Sequence, residues 1–220
     1  MRTGTKIVLS ILGIAAILMI ALAVWQWNNL KALYDGLAME PAAIQEELDA
    51  NQEAFEEAMD AYHVPKKEFT QEEIDQLVNG EVSADDVADS LIQKEEPSSG
   101  EGQTPPEETV EDLIQKEIAK MYVLRETYVG KLDAIVQSAI DEYVASGGSQ
   151  SKEDIVYGKM GELTALEKEC DQQVAAVTAR LRELLKEAGQ DNSLAELVED
   201  TYQSEKSMKK ASYIQQLRGG

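Results

Sequence analysis

Few residues in this chain could do chemistry. There is one histidine, His63, and one cysteine, Cys170. Asp60 lies three positions before His63, a spacing that can put both on one helix face and offer a metal two ligands. A di-metal carboxylate bundle needs a Glu-x-x-His on each of two helices and two further glutamates. A zinc site needs several His or Cys ligands. One histidine and one cysteine meet neither requirement, so no metal or cofactor is expected. His63 reads as a solvated side chain at a helix end, just before Pro65. The acids Glu46, Glu47, Asp49, Glu53, Glu56, Glu57 and Asp60 could attract calcium weakly, but no EF-hand spacing with its central glycine accompanies them. They read as a solvated helix face. Paired carboxylates can hydrolyse glycosides only within a cleft, which a slim helical hairpin does not offer. G-x-G-x-x-G, Walker A and G-x-S-x-G patterns are all absent. The chain therefore reads as non-enzymatic, with no small-molecule substrate evident.

Three polar or reactive residues sit on apolar seams instead. Ile114, Met121, Tyr128 and Ile135 recur every seven residues, and Ile118, Leu132 and Ala139 fill the partner position, with Arg125 as the charged break. In the next segment Val156, Leu163, Cys170, Val177 and Leu184 make one row and Met160, Val174, Leu181 and Ala188 the other, with Glu167 as the break. Such rows are coiled-coil-like. In an antiparallel hairpin closing near residues 147–150, Arg125 and Glu167 fall within about two turns of each other. They are candidates for a partly buried ion pair that fixes register more reliably than it adds stability. Cys170 reads as a small buried hydrophobe.

The elements that carry these seams are helices throughout. Residues 28–62 read as helix, interrupted by Gly36 and restarted by Pro41, with Ile44, Leu48, Asn51, Phe55, Ala58 and Tyr62 as a seam. Thr70 with Glu73, and Ser83 with Asp86, mark the starts of two short helices within 66–93. Residues 94–109 (KEEPSSGEGQTPPEET) have linker or disordered composition. Long helices are expected over 106–146 and 152–188, the second begun by Ser151 with Asp154, and a third opens at Ser193 with Glu196 as a capping box. The apolar stripe of that third helix weakens after Tyr202. The glycines Gly130, Gly158 and Gly161 fall inside long helices, where each costs about 1 kcal/mol unless a close approach or kink needs it. The expected fold class is all-α, with an elongated antiparallel hairpin or three-helix bundle over 110–218 and no sheet.

The N-terminal end gives the clearest signal. Ile7 to Val24 is an uncharged apolar run of 18 residues. A spanning helix needs roughly 20 apolar residues, so a transmembrane helix over 7–27 is expected. Trp25 and Trp27 follow as membrane-interface anchors. Arg2 and Lys6 precede the run and acids follow it, which by the positive-inside rule leaves residues 1–6 as a cytoplasmic tail and the rest extracytoplasmic. Ala21-Leu22-Ala23 fits an A-x-A cleavage pattern, so the competing reading is a signal peptide cut after Ala23 and a secreted product. The run is longer than an ordinary signal-peptide apolar region, which favours the uncleaved anchor.

The formal net charge is −22. Residues 1–28 carry +2, residues 29–110 carry −18 and residues 111–220 carry −6. An acidic field of this size repels nucleic acid and anionic lipid surfaces. The single cysteine rules out an intrachain disulfide, so stability must come from helix packing. Together these features describe a single-pass membrane-anchored scaffold or interaction protein. It would have an acidic membrane-proximal region over 28–93, a linker over 94–109 and a distal bundle. Its expected partners are the membrane and a protein, or another copy of itself, engaged through helical faces. The alternative is an extracytoplasmic sensing or accessory subunit of a membrane complex.

Overall fold

The structure, a computed structural model, describes residues 38–92, 108–147 and 149–219; for residues 152, 153, 156 and 214–219 it describes the backbone alone. The expected membrane helix over 7–27, the anchors Trp25 and Trp27, and most of the 94–109 linker lie outside the described residues. Within them there are six helices and no strand, so the all-α class holds. They are α1 (Pro41–Ala61), α2 (Gln71–Val78), α3 (Ala84–Ile92), α4 (Val110–Ala145), α5 (Lys152–Glu187) and α6 (Ser193–Gly219). No described helix is long and apolar enough to cross a membrane.

Local chemistry sets the boundaries. Pro41, which has no N–H to leave unpaired, opens α1. His63 ends that segment in the left-handed region, at φ 56°. Thr70 and Glu73 form the expected capping box at α2: the Thr70 side chain accepts from the Glu73 N–H, and the Glu73 carboxylate accepts from the Thr70 N–H. Ser83 accepts from the Asp86 N–H at α3, and Ser151 from the Asp154 N–H at α5. Two expected starts move. The first long helix begins at Val110 instead of 106, because Thr109 and Asp112 form a capping box there. Ser193 is the first residue of α6 and not its cap, because Asp191 takes the Ser193 N–H.

The described residues fall into two compact units, one within 53–201 and one of residues 38–52 together with 202–219. In the first, α4 packs along α5, α3 and α2. Lys131 Nζ meets Glu169 Oε1 at 2.9 Å, and Lys159 Nζ meets Ser138 Oγ at 3.0 Å, which fixes α4 and α5 as an antiparallel hairpin. The core holds Ile114, Ile118, Val123 and Leu124 of α4 with Val177, Leu181, Leu184 and Leu185 of α5, and Leu194 and Val198 of α6. The short helices dock on α4 by a charged ladder and a close approach. Asp85 pairs with Lys120 at 2.6 Å and Asp89 with Lys116 at 3.2 Å. At Gly130 a Cβ would lie 2.6 Å from Ile74 Cγ2 and 3.0 Å from Val78 Cγ2, so only glycine lets α2 come this close. The Tyr122 ring stacks against Phe69 at 5.7 Å, and its hydroxyl donates to the Lys67 carbonyl.

In the other unit, Ile44 and Leu48 of α1 bury against Met208 and Ala211 of α6, with Met39 packed alongside. Asn51, the polar residue of the α1 seam, donates to Ser204 Oγ at 2.9 Å. The weak stripe after Tyr202 therefore does not leave this stretch bare: α6 stays helical there, and Glu205 and Ser207 are buried along it with Met208 and Ala211.

Candidate interaction surface

The hairpin of α4 and α5 outruns its own core. Among the described side chains, none of α4 beyond Tyr128 is buried, and on α5 only Ile155 is buried before Cys170. Past Gly130, where α2 approaches α4, the described side chains of the two helices out to residue 169 add little buried core. At this end large apolar side chains face solvent: Ile140, Tyr143 and Val144 on α4, and Tyr157 and Met160 on α5. Val144 is 70% exposed and Tyr157 78%. Single exposed apolar residues are ordinary, whereas a group of them marks a contact surface.

Helix periodicity gathers them. Ile140, Tyr143 and Val144 stand at i, i+3 and i+4 on α4; Tyr157, Met160, Gly161 and Thr164 stand at i, i+3, i+4 and i+7 on α5. The contact between Lys159 and Ser138 brings Ile140 level with the turn from Tyr157 to Met160. Two exposed acids adjoin the group on its own helices, Asp141 three positions before Val144 and Asp154 three before Tyr157. Glu142 and Glu162 approach Lys159 Nζ at 3.8 Å and 3.6 Å.

Sequence periodicity missed this surface for a definite reason. Ile140, Tyr143, Val144 and Tyr157 fall off both heptad rows, so a search for seams passes over them. Met160 was expected on the seam, but it lies about half exposed because α4 at that level offers Ser138 and Lys159 claims the contact. The signal that could have found the surface is the same off-seam placement, read as an outward stripe.

The other candidates behave as follows. Arg125 is half-buried on α4, and its guanidinium ion-pairs with Glu126 at 2.7 Å. Glu167 is half-buried on α5. Cys170 is buried in the hairpin. His63 is exposed, and Asp60 pairs with Lys66 at 3.0 Å. Among the described residues no group of three or more His, Cys, Asp or Glu side chains is placed to hold a metal ion. The α1 acids are mostly exposed; Glu56 shares Lys66 with Asp60. Burial, and then the nearby Glu169 carboxylate, hold the Tyr128 phenol well above its ordinary range, so it stays protonated. Burial also pushes the Glu117 carboxyl up, against the opposing pull of Lys120 and Arg180.

The end of the hairpin presents apolar side chains on two regular helices, with the exposed carboxylates of Asp141 and Asp154 beside them. Comparison with protein-family models, with curated proteins and with solved structures finds no match to this chain.

Proposed function

We propose that this protein is a single-pass, membrane-anchored interaction or scaffold protein without enzymatic activity, and that the two-helix stretch over 129–169 is the surface it offers to a protein partner. The exposed apolar group Ile140, Tyr143, Val144, Tyr157 and Met160 carries the reading. A two-helix hairpin buries little apolar surface by itself, and hydrophobic stabilisation runs at roughly 25 cal/mol per Å² buried. Covering this group with a partner helix would supply what the chain does not. The uncharged run Ile7 to Val24, flanked by Arg2 and Lys6, supports the anchor and an extracytoplasmic position for the helices.

A photo-reactive benzophenone amino acid placed at Tyr157, and separately at Glu187 as a control, tests the reading in intact host cells. A discrete cross-linked protein, identified by mass spectrometry, is expected from position 157 and not from 187. The absence of any product at 157 would remove the interaction reading. A cysteine placed at the exposed Ser149 is expected to react with a membrane-impermeant maleimide in unlysed cells, while protection until lysis would reverse the topology.

A further inference from the structure

We infer that the occupant of the α4–α5 end is an amphipathic helix of another protein with lysine or arginine on its flanks, seated along Tyr157, Met160 and Gly161; this rests on the interaction reading above. Three observations select it. First, the apolar side chains stand on helical stripes of both α4 and α5, a surface that receives the i, i+3, i+4, i+7 anchors of a third helix. Second, the chain already uses a helical glycine for close approach: at Gly130 a Cβ would sit 2.6 Å from Ile74. Gly158 and Gly161 have the same helical setting, yet a Cβ at either would meet nothing within 4 Å. Two glycines cost helix propensity here without an internal contact to explain them. A helix crossing at Gly161 uses that space as α2 uses the space at Gly130.

Third, charge discriminates among occupants. Residues 138–162 hold Asp141, Glu142, Glu153, Asp154 and Glu162 against Lys152 and Lys159, a net −3. The Lys159 ammonium is largely covered and lies between Glu142 and Glu162, so it offers little to an incoming anion. An anionic bilayer is repelled by this rim. A second copy would set one acidic rim against another, which costs free energy. A basic flank on an apolar helix complements both the rim and the centre.

The test uses the full chain in nanodiscs of zwitterionic lipid, with empty discs as the baseline. The probes are a labelled 18-residue leucine–lysine helix and a leucine–glutamate helix with the same apolar face. Fluorescence polarisation gives the affinity and hydrogen exchange gives the location. The lysine helix is expected to bind and to slow exchange over 138–164, and the glutamate helix to do neither. Tyr157→Ser with Met160→Ser, and separately Gly161→Leu, are expected to weaken the lysine helix by about tenfold or more, as loss of central apolar anchors does. These positions are exposed, so the fold is retained, which an unchanged helical signal and melting curve confirm. Affinity that ignores both variants would reduce the binding to general attraction by an acidic protein and overturn the inference. So would equal binding of the glutamate helix. Protection of 138–164 that grows with protein concentration alone, or that follows anionic lipid alone, would assign the surface to a second copy or to the membrane instead. If cross-linking from Tyr157 finds a partner while the lysine helix fails to bind, the basic-helix assignment falls and the interaction reading stands; if both fail, both fall.

Discussion

At the scale of single residues, the glycines are the sharpest test of the packing. Gly130→Ala must push against Ile74 and Val78, and overpacking of this kind typically costs about 1–3 kcal/mol. Gly158→Ala meets open space and should gain up to about 1 kcal/mol of helix propensity. Urea unfolding of the two variants should therefore move in opposite directions. Glu117 gives a pH test. Burial raises its carboxyl pKa in the folded state, so its contribution to stability is present below the ordinary carboxylate range and is lost as pH rises through the raised value. Glu117→Gln is expected to raise the melting temperature at pH 7 and to leave it little changed near pH 4. A role for Arg125 and Glu167 in hairpin register is a proposal that a double replacement tests. Replacing both, Arg125→Met with Glu167→Leu, should alter melting or oligomeric state; unchanged helicity, melting and mass would remove that role. From sequence, Gly130 could be recognised as a helical glycine in want of a neighbour. That the neighbour is Ile74 could not, because the two lie on opposite sides of the 94–109 linker and no spacing rule relates them.

At the scale of elements, three helix starts were legible because a side chain caps its own backbone, a local cause, whereas the Thr109–Asp112 box was passed over and Ser193 does not cap its helix. Thr70 with Glu73, Ser83 with Asp86 and Ser151 with Asp154 all stand where their spacing placed them. The Glu73 carboxylate is held down at about 2, first by the Lys67 ammonium and then by the Thr70 N–H and hydroxyl. A depressed carboxylate contributes above its unfolded value and loses that contribution as pH falls toward the folded one, so the α2 start should loosen between about pH 4.5 and 2. A carboxyl titration by NMR should show Glu73 protonating near that lower limit in the parent protein. In Lys67→Met the midpoint should rise toward the ordinary range. The docking of α2 and α3 on α4 was not legible. Its ion pairs, Asp85 to Lys120 and Asp89 to Lys116, match two i, i+4 pairs on different helices, and any acid in so acidic a chain could have served. Exposed pairs of this type contribute about 0–1 kcal/mol each, enough to choose a register but not to announce it.

At the scale of the whole molecule, the all-α class followed from seven-residue periodicity and from the lack of alternating strands. The meeting of residues 39–48 with 208–211 did not. The α6 side of that contact is built from Met208, Ala211, Ser204 and Ser207, a stripe too small and polar to stand out in sequence. Met208→Ala should open a cavity costing roughly 2–4 kcal/mol. Hydrogen exchange should then quicken over 41–52 and 202–213 while the α4 core over 114–128 keeps its protection. This contact has a mechanical side. Asn51 meets Ser204 while Ile44 meets Met208 and Ala211, so the two strands of chain run in opposite directions and residues 38 and 213 leave from the same end. Tension applied through those two points would part the helices one turn at a time, as a zipper opens, and not all at once in shear. The force needed would be that of a single turn's contacts. A pull between the apolar run upstream of residue 38 and anything attached beyond residue 213 would thus be felt first here, turn by turn, making this pairing the natural place for the chain to yield.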